Sequence, residues 1–209
     1  MQRISTYAHA CCLLLIASCA LADDPLILFD GKSTDGWTPR GKVEQLAAVD
    51  GELHLLSKTN VWVTTKVETS DFVLEVEARI PPDADGGFNS GIAFRCTGAT
   101  GKPKGYQCEI DGGKPGKTGG VYGIGLGGWL YPTNDTMAEL LKRRQDVYRH
   151  DQWNKFKIVC QGPRIQTFVN DILVTEIEDD KSLSGYFGVQ HHGRGGVVKF
   201  RNIRVTVLK

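Results

Sequence analysis

Phe72-Val73-Leu74-Glu75-Val76-Glu77-Ala78-Arg79-Ile80 is the stretch that decides the fold, because apolar and polar side chains alternate through all of it. Successive side chains of a β-strand point to opposite faces, so a period of two predicts a strand with one face in a core and the other in water. A helix would instead repeat its apolar positions every three to four residues. The stretch therefore predicts an amphipathic strand of a packed sheet.

Similar short runs follow along the chain, with turn-forming residues such as Asp50-Gly51 and Asn170-Asp171 between them. These runs cover residues 53–56, 61–65, 91–96, 106–111, 155–160, 165–169, 172–177, 186–190 and 197–207. One stretch, 136–147, has helical spacing, and Asn134 or Asp135 could cap it. The pattern predicts an all-β antiparallel sandwich of two sheets with one short helix in an insertion.

The composition fits this class and limits the partners. Lys and Arg number 25 against 24 Asp and Glu among 209 residues, which gives a formal net charge of +1. So balanced a charge offers no broad field for nucleic acid or an anionic membrane, whereas a neutral ligand such as an oligosaccharide or glycoside is easily accommodated. Because no linker, repeat or low-complexity tract interrupts the chain, residues 23–209 are expected to form a single domain.

The N-terminus predicts export. Arg3 precedes a short apolar run, and Ala20-Leu21-Ala22 offers small residues for cleavage, so residues 1–22 are interpreted as a signal peptide. The run is too short to span a bilayer, which excludes a permanent transmembrane helix there. Ile16-Ala17-Ser18-Cys19 leaves an alternative open, a lipid anchor at Cys19. The protein is expected in the periplasm or outside the cell, either free or lipid-anchored.

Three of the predicted strands have unusually reactive side chains on the polar positions of their alternation. The residues concerned are Arg95 in the first strand, Gln107, Glu109 and Asp111 in the second, and Gln190 and His192 in the third. If the strands are neighbours, one sheet face has a guanidinium, two carboxylates, two amides and an imidazole, a combination typical of a polar binding groove. The alternative is an ordinary solvated sheet face.

Residues 112–128 are rich in glycine but lack the spacing of a phosphate-binding loop, and we interpret them as a mobile loop at the rim of the groove. Trp129 and Tyr131 beside it either stack on a sugar ring or pack the loop against the sheet. Cys96 and Cys108 alternate with polar residues, so both are expected to point into the core and to form at most one disulfide bond.

Several short motifs in the mature chain together resemble the 3-keto-disaccharide hydrolase family. They are Leu28-Phe29-Asp30-Gly31, Gly36-Trp37, Asn89-Ser90-Gly91-Ile92 with Arg95, Gly105-Tyr106, Ile110-Asp111, Gly120-Val121-Tyr122, Gln152-Trp153-Asn154, Val189-Gln190-His191-His192-Gly193 and Phe200-Arg201-Asn202-Ile203. The resemblance covers nearly the whole mature chain. It implies a concanavalin A-like jelly roll and cleavage of 3-keto-glycosides or 3-keto-disaccharides.

The chemistry implied by this resemblance assigns roles to the polar face. A ketone at C3 acidifies the C2 proton, so a base can remove it while the C1 oxygen leaves, and water adds afterwards. His192 is the candidate base, Arg95 the clamp for the enolate, and Glu109 or Asp111 the acid. Gln107, Gln190, Tyr122, Trp129 and Tyr131 are the candidate substrate contacts. A divalent metal held by Glu109, Asp111 and His192 is a further possibility.

The sequence departs from the family between Gly105-Tyr106 and Ile110. Members often have an acidic residue followed two positions later by an amide, whereas this chain has Gln107 and then Glu109. Direct transfer of catalytic roles from the family to these two positions is therefore not justified.

Two other functions remain open. Glu109-Ile110-Asp111 resembles the core of laminarinase-like retaining glucanases, but Gly113 occupies the position of the second catalytic glutamate. The same fold also hosts carbohydrate-binding and surface-interaction modules without catalysis, so the fold alone does not decide.

Overall fold

The structure, a computed structural model, describes residues 24–81, 88–113 and 116–209. The predicted signal peptide, its cleavage site and the alternative lipid anchor at Cys19 lie outside the described residues. Within the described ranges, no helix is long and apolar enough to cross a membrane.

Strands and a single short helix make up the described residues, in an order that runs from β1 to β15. The strands of the first half are β1 (Leu26–Ile27), β2 (Thr38–Pro39), β3 (Gln45–Val49), β4 (Glu52–Leu56), β5 (Val61–Thr69), β6 (Phe72–Arg79), β7 (Asn89–Thr97) and β8 (Lys104–Asp111). The second half contains β9 (Val121–Ile124), β10 (Gly128–Tyr131), α1 (Met137–Arg143), β11 (Asn154–Gln161), β12 (Arg164–Val169), β13 (Ile172–Glu178), β14 (Gly185–His191) and β15 (Val198–Val207).

The strands form two antiparallel sheets that pack face to face. The first sheet has the order β13-β12-β11-β6-β15-β4-β3, with β1 paired to β15. The second sheet, called the site sheet below, has the order β10-β9-β8-β7-β14-β5-β2. Most neighbours are distant in sequence, as in a jelly roll. The predicted all-β sandwich with one short helix is confirmed.

Strand β6 shows how the alternation builds this sandwich. Phe72, Leu74 and Val76 are at most 2% exposed and lie in the core between the sheets. Glu75 and Glu77 point to the outer face, where they form ion pairs with Arg204 and Arg201 of β15. One face of the strand is thus dry and the other is solvated, as the sequence pattern predicts.

Two segments differ from the prediction. The helix ends at Arg143 rather than continuing to Val147, and the Thr136 side chain that precedes it forms no capping hydrogen bond. The glycine-rich stretch is not one mobile loop, because part of it forms β9 and the turn into β10. Gly127 and Gly128 have φ angles of 108° and 89° in that turn, a backbone region that favours glycine.

A bulge in β7 corrects the prediction for Arg95. The register with β8 shifts between Phe94 and Thr97, and Arg95 has a φ angle of 48°. The bulge reverses the alternation, so Arg95 is fully buried and donates hydrogen bonds to Ser70 O (2.9 Å) and Asp71 Oδ1 (3.2 Å). Arg95 therefore does not share the polar face with Glu109.

The same bulge moves Cys96 to the opposite face of the sheet. Cys96 packs with Ala93 and Tyr186 in a small apolar cluster outside the main core, whereas Cys108 lies in the main core. The expectation that both point into the core is wrong for Cys96. Both are free thiols, as is Cys160.

Candidate functional site

A row of side chains crosses four strands on the outer face of the site sheet. In this row Glu109 of β8 lies opposite Gly91 of β7, which lies opposite Gln190 of β14, which lies opposite Trp62 of β5. Residues directly opposite each other on neighbouring strands project from the same face. The strand order therefore brings together residues that are far apart in sequence.

Gly91 leaves space in the middle of this row, and the side chain of Gln107 fills it. A Cβ atom at position 91 would lie 2.3 Å from Gln107 Cδ, so only glycine allows this arrangement. From here Gln107 accepts a hydrogen bond from Trp62 Nε1 (2.8 Å) and donates to Gln190 Oε1 (2.9 Å) and Glu109 Oε2 (3.0 Å). Gln107 is thus the centre of a buried polar network.

The network forms the floor of a pocket with a volume of about 250 Å³. Its lining residues are Asn60, Trp62, Asn89, Lys102, Gln107, Glu109, Tyr122, Trp129, Gln190 and His192. The pocket combines a polar floor with aromatic walls, which suits a ligand that presents both hydroxyl groups and apolar ring faces.

Glu109 is the buried carboxyl group of this pocket. Its side chain accepts hydrogen bonds from Asn89 Nδ2 (2.6 Å) and Gln107 Nε2 (3.0 Å), and the residue is 3% exposed. Burial raises the pKa of Glu109 to about 7, the Gln107 hydrogen bond opposes this, and the charge of Asp111 adds to it. A carboxyl group with this pKa can both donate and accept a proton at neutral pH.

His192 lies at the exposed rim of the pocket, just after β14. Partial desolvation and the positive charge of Arg194 lower the pKa of His192, and the charge of Asp111 opposes them. A lowered pKa keeps the imidazole neutral near pH 7, the form that can accept a proton.

The aromatic walls lie on both sides of the polar floor. Tyr122 and Trp129 meet edge to face with their ring centroids 5.3 Å apart. Lys117 lies over the Trp129 ring (4.1 Å), and Lys102 lies over the ring of Trp62 on the other side (5.8 Å). These rings offer apolar surface next to the hydrogen-bonding groups.

Of the residues singled out in the sequence, six meet in the pocket: Gln107, Glu109, Tyr122, Trp129, Gln190 and His192. Three do not line it. Arg95 is turned away by the bulge, and Tyr131 is 6% exposed and packs in the main core. Asp111 accepts backbone hydrogen bonds from Gly113 (2.8 Å) and Lys117 (3.0 Å), and so holds the loop after β8.

The sequence analysis missed Asn60, Trp62, Asn89 and Lys102, which also line the pocket. Trp62 and Asn89 were recoverable, because both lie on the polar positions of predicted strands or directly before one. Asn60 and Lys102 lie in connecting loops, where no periodicity indicates the direction of a side chain.

The proposed metal ligands do not fit a metal ion. Among the described residues, no three His, Cys, Asp or Glu side chains are grouped closely enough to hold one. Both oxygens of Glu109 accept amide hydrogen bonds, and both oxygens of Asp111 accept backbone N–H groups. No step of the chemistry below uses a metal.

The sequence profile of a 3-keto-alpha-glucoside-1,2-lyase-like domain matches residues 25–206. No curated protein matches the sequence significantly.

Several solved structures share the fold at low sequence identity. A carbohydrate-binding module, CBM66 from Bacillus subtilis, is 19% identical with a TM-score of 0.62, over 82% of this chain and 95% of the module. A proposed glycosyl hydrolase from Parabacteroides distasonis is 22% identical with a TM-score of 0.63, over 89% of this chain and 100% of the hydrolase. A Bacillus subtilis protein with a galectin-like fold is 12% identical with a TM-score of 0.62, over 86% and 95% of the two chains.

Proposed function

This chain belongs to the 3-keto-alpha-glucoside-1,2-lyase-like domain family, and from that premise we propose that its pocket binds a 3-keto-glycoside and cleaves the glycosidic bond by elimination across C1 and C2. The observation that carries the proposal is Glu109, a buried carboxyl group with a pKa of about 7 on the floor of a pocket with aromatic walls. Neutral His192 at the rim supplies the second proton-transfer group.

In the proposed reaction, His192 removes the C2 proton of the 3-keto sugar and the electron pair forms the C1–C2 double bond. The C1–O bond breaks, and Glu109 in its protonated form gives its proton to the departing oxygen. The products are an unsaturated keto sugar and a free alcohol. Addition of water across the double bond then gives the 3-keto sugar, and two positioned acid–base groups suffice for both steps.

The donor-rich floor supports binding of the keto sugar. Asn60, Asn89, Gln107 and Gln190 hold one another in fixed orientations through hydrogen bonds. Preorganised dipoles of this kind stabilise a developing charge without reorganising during the reaction. They take the part first assigned to Arg95, which is buried elsewhere.

Hydrolysis of the laminarinase type is not supported by this pocket. Retaining glycosidases use two carboxyl groups about 5 to 5.5 Å apart on either side of the scissile bond. Glu109 is the single carboxyl group among the described residues that line the pocket, since Asp111 holds the neighbouring loop.

A non-catalytic sugar-binding function is the second candidate. The observation in its favour is that both oxygens of Glu109 already accept amide hydrogen bonds, as they would in a purely binding floor. The shared fold with a carbohydrate-binding module is compatible with this function as well.

The test is turnover of 4-nitrophenyl 3-keto-α-glucoside by protein that begins at Asp23. We expect nitrophenol release, and in D₂O we expect deuterium at C2 of the product, because elimination breaks the C2–H bond. Glu109→Gln and His192→Ala should each lower kcat at least about 100-fold. The matched controls are Glu68→Gln, on an exposed position of β5, and His54→Ala, on the first sheet.

Wild-type rates in both site variants would contradict the proposal. Binding of the glycoside without any release of nitrophenol would establish the sugar-binding function instead.

Export is part of the proposed function, because glycosides of this kind are met outside the cytoplasm. We expect the protein to be recovered without residues 1–22. The intact mass of the purified protein distinguishes cleavage before Asp23 from lipid attachment at Cys19.

A further inference from the structure

Gln107 could bond to its neighbours in two ways, because an amide side chain has an oxygen that accepts and a nitrogen that donates. In the structure its oxygen faces Trp62 and its nitrogen faces Glu109 and Gln190. If the amide were turned over, the oxygen would face Glu109 and would repel the ionised carboxylate. Which orientation is present therefore decides whether the floor favours ionised or protonated Glu109.

Trp62 removes this choice. The indole N–H is a donor without any acceptor capacity, so the atom of Gln107 that faces it must be the oxygen. The amide nitrogen must then point the other way, and its two hydrogens go to Glu109 Oε2 (3.0 Å) and Gln190 Oε1 (2.9 Å).

The same constraint passes on to the next amide. Because Gln190 receives a hydrogen from Gln107, its oxygen must face Gln107 and its nitrogen must face outward. That nitrogen donates to Asn60 Oδ1 at 2.8 Å. One donor-only side chain thus fixes the direction of every amide hydrogen bond from β5 to Glu109.

We propose that Trp62 is a positioning residue, which orients Gln107 so that it donates to Glu109 and thereby keeps this carboxyl group able to ionise near neutral pH. The part of Trp62 in turnover rests on the proposed function, but the ionisation of Glu109 does not. Other charged groups around Glu109 are Asp111 on its own strand, Lys117 after it, Lys102 before it and His192 at the rim. None of these changes in the variants below.

The test is the pKa of Glu109, measured by ¹³C NMR of labelled glutamate side chains and assigned with Glu109→Gln. In Trp62→Phe the amide of Gln107 is free to turn over, and we expect the pKa of Glu109 to rise by about one unit, the loss of one hydrogen bond to a charged group. If this variant does not fold, 3-benzothienylalanine at position 62 keeps the shape of the indole and replaces its N–H with sulfur.

Trp129→Phe is the matched control. It removes the same indole area from the opposite wall of the pocket and keeps a ring under Lys117, while the amide network stays intact. We expect no change in the pKa of Glu109.

A double-mutant cycle separates positioning from packing. Gln107→Met removes the amide at similar volume, so adding Trp62→Phe to it should leave the pKa of Glu109 where Gln107→Met alone puts it. In active protein, the alkaline limb of the pH–rate profile should follow the titration. The proposal is overturned if Trp62→Phe leaves this pKa unchanged or lowers it, or if the shift is equally large with Met at position 107.

Discussion

The ionisation of Glu109 has a measurable effect on stability at the scale of the single residue. The pKa of Glu109 is about 7 in the folded protein against 4.5 for an ordinary glutamate. Between these values the folded state binds more protons than the unfolded state, so stability is highest below the unfolded pKa and falls as the pH rises towards 7. Above that pH the contribution no longer changes.

We therefore expect Glu109→Gln to abolish a pH dependence of about 3 kcal/mol in the free energy of unfolding, since each pKa unit corresponds to about 1.4 kcal/mol. The measurement is urea unfolding of wild type and variant at about pH 4 and about pH 8. Other groups titrate in both proteins, so the difference between the two proteins is the quantity to compare. A difference that is constant with pH would mean that Glu109 is not buried as described.

Arg95 provides the second prediction at this scale. Its buried guanidinium donates to Ser70 O and Asp71 Oδ1, away from the pocket. Arg95→Met leaves the Ser70 carbonyl group without its donor, so we expect a loss of about 2 kcal/mol of stability. Turnover per folded molecule should stay at the wild-type value. A fall in kcat without a fall in stability would return Arg95 to the catalytic site.

At the scale of the element, the central strand β7 lets the site form because it has almost no side chains on the pocket face. Gly91 and Ala93 occupy this face, and Gln107 reaches across the strand to Gln190. A larger residue in the middle of the row would separate Glu109 from the amides of β14.

Gly91→Ala tests this arrangement. The new Cβ would lie 2.3 Å from Gln107 Cδ, so Gln107 must move and its three hydrogen bonds must break or stretch. We expect ligand affinity or turnover to fall at least about tenfold, equal to about 1.4 kcal/mol, with the fold retained. Gly196→Ala is the control, because the nearest atom to its Cβ, Pro81 Cγ, is at an ordinary 3.5 Å.

A second variant shows whether the cause is the collision. Gly91→Ala combined with Gln107→Ala relieves the contact, so stability should recover while function should not. Recovery of function in this double variant would show that Gln107 has no part in the site.

At the scale of the whole molecule, the two sheets bury all three described cysteines without joining them. Burial raises the pKa of Cys96 and of Cys160 to about 12, and it raises the pKa of Cys108 as well. Thiols react as thiolates, so these groups are inert in the folded state.

We expect protein that begins at Asp23 to show no thiols that react with Ellman's reagent when native, and three when denatured without reductant. Rapid reaction of the native protein would mean that one sheet opens. Fewer than three thiols after denaturation would reveal a disulfide bond.

The sequence by itself determined the sandwich, because a period of two is a local property that each strand declares independently. It also identified Gln107, Glu109, Gln190 and His192 as one polar face, since alternation within a strand fixes which side chains point the same way. The order of the strands was not determined by it. That order brings Gly91 between Glu109 and Gln190 and places Trp62 within reach of Gln107.

Only the tertiary structure decided the places of Arg95 and Asp111. A bulge is one extra residue against a partner strand, so it depends on the pairing of β7 with β8 and has no periodic signature in β7 alone. The backbone N–H groups that occupy Asp111 come from the conformation of the loop after β8. The pKa of Glu109 likewise depends on burial by four other strands, and burial arises only when the sheet has formed.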